Sequence, residues 1–341
     1  MHLLRIIIVL ITGTLACSAA EALQKIAFGS CAKQQLEQPI WETIVAANPD
    51  LFIFCGDNIY GDSHDMTEMK ARWDAFGAKP GYQKLKATCP ILATWDDHDY
   101  GWNDAGAEYP EKAQTQQLFL DFFAEPKDSP RRKQEGIYDA KIIGPEGKRV
   151  QIILLDTRYH RSPLIKRKKR DFEPGEGING IFLPNNDPET TILGATQWEW
   201  LKQQLLKPAE IRILVSSIQV ISNEHWYEKW GNFPNERARL FRLIRETKAD
   251  NLVILSGDRH TSEISRIDNK TVRPIHDITA SALNQRHLWR SELNPHRLGG
   301  MYFDPNFGML VIDWSTPSPT VRMQIQDLKG KVVLQATQSM P

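Results

Sequence analysis

Short apolar runs recur along the chain, and each stops at a polar residue. Lys25-Ile26-Ala27-Phe28 leads into Gly29-Ser30-Cys31, Leu51-Phe52-Ile53-Phe54-Cys55 into Gly56-Asp57, and Pro90-Ile91-Leu92-Ala93-Thr94-Trp95 into Asp96-Asp97-His98-Asp99. Val150 to Leu155 leads into Asp156-Thr157-Arg158, Ile211 to Val215 into Ser216-Ser217-Ile218-Gln219, and Leu252 to Leu255 into Ser256-Gly257-Asp258-Arg259-His260. Near-continuous Ile, Val, Leu and Phe of this length predicts strands buried on both faces. Helical patterns lie between them: Pro39 to Ala47 with Ile40, Ile44 and Val45 on one side, Glu111 to Ala124 with Leu118, Phe119, Phe122 and Phe123, Ala195 to Leu206 with Trp198, Leu201, Leu205 and Leu206, and Arg237 to Thr247 with Leu240, Phe241 and Ile244. Strands alternating with amphipathic helices predict a layered α/β domain with largely parallel strands. After Gly308 the texture changes to three short strand patterns, Met309 to Ile312, Thr320 to Ile325 and Lys331 to Leu334, with a turn at Asp327-Leu328-Lys329-Gly330. This meander is expected to complete a second sheet.

Ligands of such sheets bind outside the carboxyl ends of the strands. That edge collects Cys31, Asp57, Asp97, His98, Asp156, Gln219, Asp258 and His260. One Asp after a strand is ordinarily a turn or helix cap. Six strand ends delivering thiol, carboxylate, amide and imidazole to one rim call for something more. Crowded carboxylates repel one another, so a cation should neutralise them. Carboxylate and imidazole are usual ligands of hard and borderline metals, and the ligand count suits two metals better than one.

Composition narrows the context. Of 341 residues, 41% are hydrophobic and 25% charged, with 42 Lys plus Arg against 42 Asp plus Glu. That is an ordinary globular balance, and a net charge of zero gives no general attraction to nucleic acid. Lys166-Arg167-Lys168-Lys169-Arg170, ahead of the Gly-rich stretch from Pro174 to Gly180, reads as a solvated loop. Residues 1–20, MHLLRIIIVLITGTLACSAA, have a short apolar core followed by small residues. They are expected to be a secretory signal removed near Ala20. A lipoprotein signal through Cys17 or an N-terminal anchor is the alternative, and without an Arg-Arg pair twin-arginine export is disfavoured. Residues 21–341 would then form the mature domain, secreted or periplasmic, with no transmembrane segment. Cys31, Cys55 and Cys89 remain, an odd number. Cys55 and Cys89 read as core thiols, with a disulfide between them open in an oxidising compartment.

The motifs Gly29-Ser30-Cys31, Gly56-Asp57-Asn58-Ile59-Tyr60, Thr94-Trp95-Asp96-Asp97-His98-Asp99, Leu155-Asp156-Thr157-Arg158 and Gly257-Asp258-Arg259-His260, in this order, resemble the alkaline phosphatase D (PhoD-like) branch of the metallophosphoesterases. Ile192-Leu193-Gly194 followed by Gln197-Trp198 and Trp200-Leu201 matches a further segment of that family. The resemblance implies a four-layer α/β/β/α sandwich. It implies that Cys31 is a metal ligand, that Asp57 bridges two metals, and that Tyr60 ligates a ferric ion. It implies that Asp97 stands where relatives carry a ligating Asn, that His98 protonates the leaving group, and that Asp258 and His260 are the last ligand pair. Gln219 falls on the strand end where the wider superfamily has a His, with His225 as the alternative. Branch members carry Fe(3+) with Ca(2+), and wider relatives iron, Zn(2+) or Mn(2+). Relatives often have an all-β domain before the first motif; here that motif follows closely on the expected signal, so the extra domain is expected to be absent and the site more open.

Two metals clamp the oxygens of a phosphate ester and lower the pKa of water, so that hydroxide attacks at neutral pH. Asp97 and Asp99 beside His98 favour the imidazolium, the proton-donating form. Arg158 carries a guanidinium fork suited to phosphate oxygens, its alternative being a salt bridge. Tyr100, Trp102 and Trp226 are candidates to line a cleft. The expected activity is therefore hydrolysis of small-molecule phosphate mono- or diesters by a monomer, with His98 and Arg158 catalytic. The alternatives are a phospholipase-type or cell-wall-polymer phosphodiesterase, or a metal-binding surface protein without turnover.

Overall fold

Alternation within the strands decides which layer each residue joins. Phe52 and Phe54 enter one hydrophobic cluster with Trp41, Trp73, Phe76 and Leu85. Leu51, Ile53 and Cys55, pointing the other way, enter a second with Ile152, Leu154, Ile213 and Val253. Leu214, Leu252 and Ile254 turn from that second cluster into a third, with Trp198, Leu201, Leu240 and Ile244. Period-two runs that are apolar on both faces thus build three cores, which are the three interfaces of a four-layer stack.

The computed structural model describes residues 21–168, 180–268, 273–286 and 292–340; the expected signal over residues 1–20 and the end of the basic run lie outside them. In chain order the elements are β1 (Lys25–Gly29), α1 (Ile40–Ala46), β2 (Leu51–Cys55), α2 (Met66–Gly77), α3 (Pro80–Thr88), β3 (Ile91–Thr94), α4 (Asp97–Tyr100) and α5 (Lys112–Phe122). There follow β4 (Asp139–Ile143), β5 (Val150–Leu154), β6 (Ile165–Lys166), β7 (Phe182–Leu183), α6 (Gly194–Leu205), β8 (Ile211–Val215), α7 (Pro234–Glu246) and β9 (Leu252–Ser256). The chain closes with β10 (Ser262–Ile267), β11 (Ile275–Ala280), β12 (Asn306–Asp313), β13 (Thr320–Asp327) and β14 (Val332–Ser339).

One six-stranded sheet has the order β14-β13-β12-β1-β2-β3 and the other β10-β11-β9-β8-β5-β4. The first sheet is parallel in one half, β1-β2-β3, and antiparallel from β1 through β12 and β13 to β14, whereas the second is parallel at its centre, β11-β9-β8-β5, with antiparallel edge strands β10 and β4. Helices α1, α2, α3 and α5 cover the first sheet, and α6 and α7 the second. The fold is the four-layer α/β/β/α sandwich. No helix among the described residues is long and apolar enough to cross a membrane.

Three features differ from the sequence reading. The C-terminal meander does not complete a separate sheet: β12 pairs antiparallel with β1, extending the sheet that β1 begins. Strands β10 and β11 are absent from the apolar pattern because their buried positions include Ser262, Glu263, Ser265, Asp277 and Thr279, satisfied by side-chain hydrogen bonds rather than by apolar contact. Helices α2 and α3 were also unmarked; Asp65 caps α2 by accepting from the Thr67 N–H. Cys55 and Cys89 are free and buried. Cys55 pairs with Thr94 at one end of the β2–β3 ladder, whereas the Phe52 N–H reaches Pro90 near the other. The register therefore holds the two thiols at opposite ends of the strands, beyond disulfide reach. Each fully buried Leu, Ile or Phe contributes about 1.5–3 kcal/mol, so cores of this size need no such staple.

The β1–β12 junction depends on a glycine. Gly308 pairs with Phe28, and a Cβ there would stand 2.1 Å from the Phe28 ring. Gly308→Ala is expected to destabilise the fold by about 1–3 kcal/mol, measured by urea unfolding. An unchanged midpoint would show that the two sheet halves are not locked at this contact.

Candidate metal centre

The residues at the strand ends adopt an unusual backbone. Cys31, Asp57, Asp258 and His260 have φ of 63°, 50°, 68° and 52°. Non-glycine residues pay about 1–3 kcal/mol for such conformations, which persist only where the surroundings hold them. The Ala32 N–H donates to the Asp57 carbonyl at 2.9 Å and the Ser30 N–H to that of Ala280 at 3.1 Å, tying the turns to one another. Gly56, at φ 97°, lets the β2 turn pass so close to Asp96 that a Cβ would lie 2.5 Å from the Asp96 Cβ.

These turns bring the ligand-bearing atoms together. Those of Cys31, Asp57 and His260 lie within 4.8 Å of one another; so do those of Asp57, Asp97 and His98, and those of Asp57, Asp96, Asp97 and Asp258. Asp57 belongs to all three groups. The Cys31 thiol donates to Asp57 Oδ2 at 3.4 Å, and its Sγ lies 3.2 Å from Ser281 Oγ. The Tyr60 hydroxyl lies 2.9 Å from His260 Nε2 and 3.4 Å from Asp57 Oδ2.

Too many acids are buried here for the cations supplied by the chain. Burial, then the negative neighbours Cys31, Asp97 and Asp96, holds the Asp57 carboxyl well above its ordinary range. Burial raises Asp96 too, against the opposing pull of Arg158, and pushes Asp258 up to about 7. Asp97 alone is held below the usual range: burial works against it, but His98, Arg158 and the Asp104 N–H outweigh that penalty. Asp57 Oδ1, Asp96 Oδ2 and Asp258 Oδ2 are buried without a hydrogen-bond partner. Orphaned carboxylate oxygens facing one another fit bound cations. Burial also raises the Cys31 thiol to about 11, and a bound metal reverses that logic by taking the thiolate.

His98 is held by a residue the motif did not show. Its Nδ1 lies 2.6 Å from Asp62 Oδ1, and its ring packs on Tyr60 at 4.3 Å. Burial disfavours its charged form, yet Asp97 and Asp62 outweigh that and lift its pKa to about 9. Asp99, its neighbour in sequence, takes no part. Its carboxylate accepts from the Asp96 N–H and the Asn58 side chain. The Gly61 N–H donates to the His98 carbonyl at 3.0 Å, which is why Asp62 reaches the ring.

Other expected residues fall elsewhere. Arg158 is fully buried, its guanidinium 2.5 Å from both Asp96 and Glu228. It takes the salt-bridge alternative, because its guanidinium is buried and committed to these two carboxylates, which its removal would strand. Asp156 is a turn cap, accepting from the Ile137, Arg158 and Tyr159 N–H groups. Gln219 spends its Nε2 on Glu263 and Thr279, which leaves Oε1 as its only ligating atom. His225, the alternative, is buried. Burial and then the Arg259 and Lys229 cations hold it neutral, and its Nδ1 accepts from the Tyr227 N–H. Tyr100 is a core residue, its hydroxyl donating to the Gly106 carbonyl. Beside the cluster opens a cavity of about 270 Å³ lined by Asp97, His98, Asp104, Tyr227, Arg259 and His260, among others.

The sequence model of one family, described as PhoD-like phosphatase, matches residues 26–339. Alkaline phosphatase D of Bacillus subtilis (strain 168) is 25% identical over 199 residues, 53% of this chain and 33% of that protein. The matched stretch thus covers only a third of that relative's length. Among solved structures, one described as the structure of PhoD has a TM-score of 0.69 at 19% identity, covering 94% of this chain and 69% of that one. Purple acid phosphatase PPD1 from yellow lupin (Lupinus luteus) seeds scores 0.62 at 13% identity, covering 94% and 54%. A dimetal phosphatase from Danio rerio scores 0.53 at 12% identity, covering 94% and 100%. At these identities the likeness to the solved structures is one of fold.

The Asp62–His98 contact sets a pH signature in chelated protein. The folded pKa of His98, about 9, lies above its ordinary 6.5. The stabilisation is therefore complete below the lower value and is lost as pH rises through the upper one. Asp62 is half exposed, so Asp62→Asn should cost about 0.5–1 kcal/mol at pH ~6 and almost nothing above pH ~9.5, read by urea unfolding. A penalty equal at both ends of that range would remove the ionic contact from this description.

Proposed function

Since this chain belongs to the PhoD-like phosphatase family, we propose that it is a metal-dependent phosphoesterase, exported from the cytoplasm, whose reaction centre is the carboxylate cluster around Asp57. The carrying observation is that Asp57 is common to all three candidate ligand groups while its own Oδ1 has no partner. A carboxylate with two oxygens in that position is suited to two cations.

The donor set divides in two. Cys31, Tyr60 and His260 offer sulfur, phenol and imidazole beside one oxygen of Asp57, a set suited to iron(III). Asp96, Asp97 and Asp258 with Asp57 offer oxygen alone, suited to calcium. Bound there, the pair would supply Lewis acidity toward the ester oxygens and a lowered pKa for water. Zinc or manganese in either place is the alternative that elemental analysis decides.

The chain's own residues do the rest. His98, charged at neutral pH because Asp97 and Asp62 face it, holds a proton at the cavity wall for the departing oxygen. Asp62, bound at Nδ1, fixes the ring so that Nε2 is the atom that gives the proton. Arg158 acts indirectly, by holding Asp96 against Glu228 beneath the cluster. A small-molecule phosphate ester is the substrate in this reading, and a monomer suffices.

His98→Ala should keep its metal content and lose about 100- to 10,000-fold in kcat, most for esters with poor leaving groups. Equal losses on an aryl and an alkyl phosphate would contradict proton donation by His98. Protein purified without added metal should contain iron and calcium and show a visible absorption band, which Tyr60→Phe shifts or bleaches. A colourless, iron-replete protein would take the phenolate out of the ligand set.

A further inference from the structure

With Arg158 sealed below the floor, the wall that meets the rest of the substrate lies elsewhere. The cavity beside the metal cluster is polar throughout except for two side chains, Ile181 and Tyr227. They come from different loops and are joined through Trp226, whose carbonyl accepts from the Ile181 N–H at 2.8 Å. Trp226 itself is 36% exposed, so the apolar surface continues outward from the cavity.

Tyr227 is held unusually firmly for a half-buried loop residue. Its N–H donates to His225 Nδ1 at 3.2 Å, and its carbonyl accepts from the buried Lys229 ammonium at 2.8 Å. The Arg259 guanidinium lies 4.7 Å from its ring centroid and is itself ion-paired with Glu292. A cation over an aromatic face is attracted to it, which favours this placement of the ring. Arg259, with its charge committed to Glu292, serves here as the backing of an aromatic surface rather than as a free phosphate ligand. An ordered ring loses little further entropy when a ligand packs on it, so the contact keeps more of its affinity.

We propose that Tyr227, braced by Arg259 and flanked by Ile181 and Trp226, is a subsite for the organic group of the ester, and that it selects flat, apolar groups such as aryl over small polar ones. This rests on the phosphoesterase reading, because it takes the phosphoryl group to sit at the Asp57 cluster. Ring contacts of this kind are worth about 3- to 10-fold in affinity. Binding of phenylphosphonate and methylphosphonate to the metal-loaded full chain, measured by calorimetry, tests it without needing turnover. Phenylphosphonate should bind about 3- to 10-fold more tightly. Tyr227→Ala should abolish that preference while leaving methylphosphonate affinity and metal content as they were, and Tyr227→Phe should retain it. Equal binding of the two ligands by the wild-type chain overturns the subsite and leaves the phosphoesterase reading standing. A Tyr227→Ala variant that weakens both ligands alike also overturns it, by making Tyr227 a support of the cluster. Failure of either phosphonate to bind strikes the metal-centre reading, and the subsite with it.

Discussion

Buried like charge governs this molecule. Asp57, Asp96, Asp97 and Asp99 all lie at or near zero exposure, with Asp258 beside them. No arrangement of apolar neighbours makes that stable; ionised carboxylates need cations, and neutral ones need their protons kept. The chain supplies part of the answer. Arg158 lies between Asp96 and Glu228, and Arg161 reaches the other oxygen of Glu228 at 2.9 Å. Asp96, Arg158, Glu228 and Arg161 thus form a buried ionic chain, and Glu228 adjoins Lys229 and Tyr227 in the same loop. What it leaves unmet is the set of oxygens facing the cluster's interior, and it is there that the need for bound metal arises.

The scaffold makes such a cluster affordable. Two sheets packed face to face, each covered by helices, give three apolar interfaces. That burial offsets the cost of left-handed backbone at Cys31, Asp57, Asp258 and His260, the candidate ligands. These four positions follow the carboxyl ends of parallel strands of both sheets. Because these segments are hydrogen-bonded to one another, as Ser30 is to Ala280 and Ser262 to Tyr302, the candidate ligands are positioned by the two-sheet stack rather than by any one loop.

Much of this could be read along the chain. Apolar runs gave β1, β2, β3, β5, β8 and β9, since strands buried on both faces leave a mark that needs no knowledge of partners. Strands β10 and β11 left none, because Asp277 and Thr279 are buried by virtue of hydrogen bonds to Ser256, Gln219 and backbone N–H groups from other segments. The gathering of Cys31, Asp57, Asp97, Asp258 and His260 was legible as a consequence of topology: parallel strands place their carboxyl ends together. Which neighbours complete the site was not. Asp99 adjoins His98 in sequence but faces Asn58, whereas Asp62 arrives from another loop and makes the contact.

The sequence by itself therefore determined the layered fold and the edge on which its chemistry lies, because both follow from periodicity and from the direction of parallel strands. Tertiary structure alone decided the direction of each side chain. Arg158 became an internal counter-ion, His225 a buried neutral ring and Arg259 the brace of Tyr227, because the energy of a charge depends on which groups surround it in space. Those groups come from segments far apart in the chain, and only the packed sheets bring them within reach.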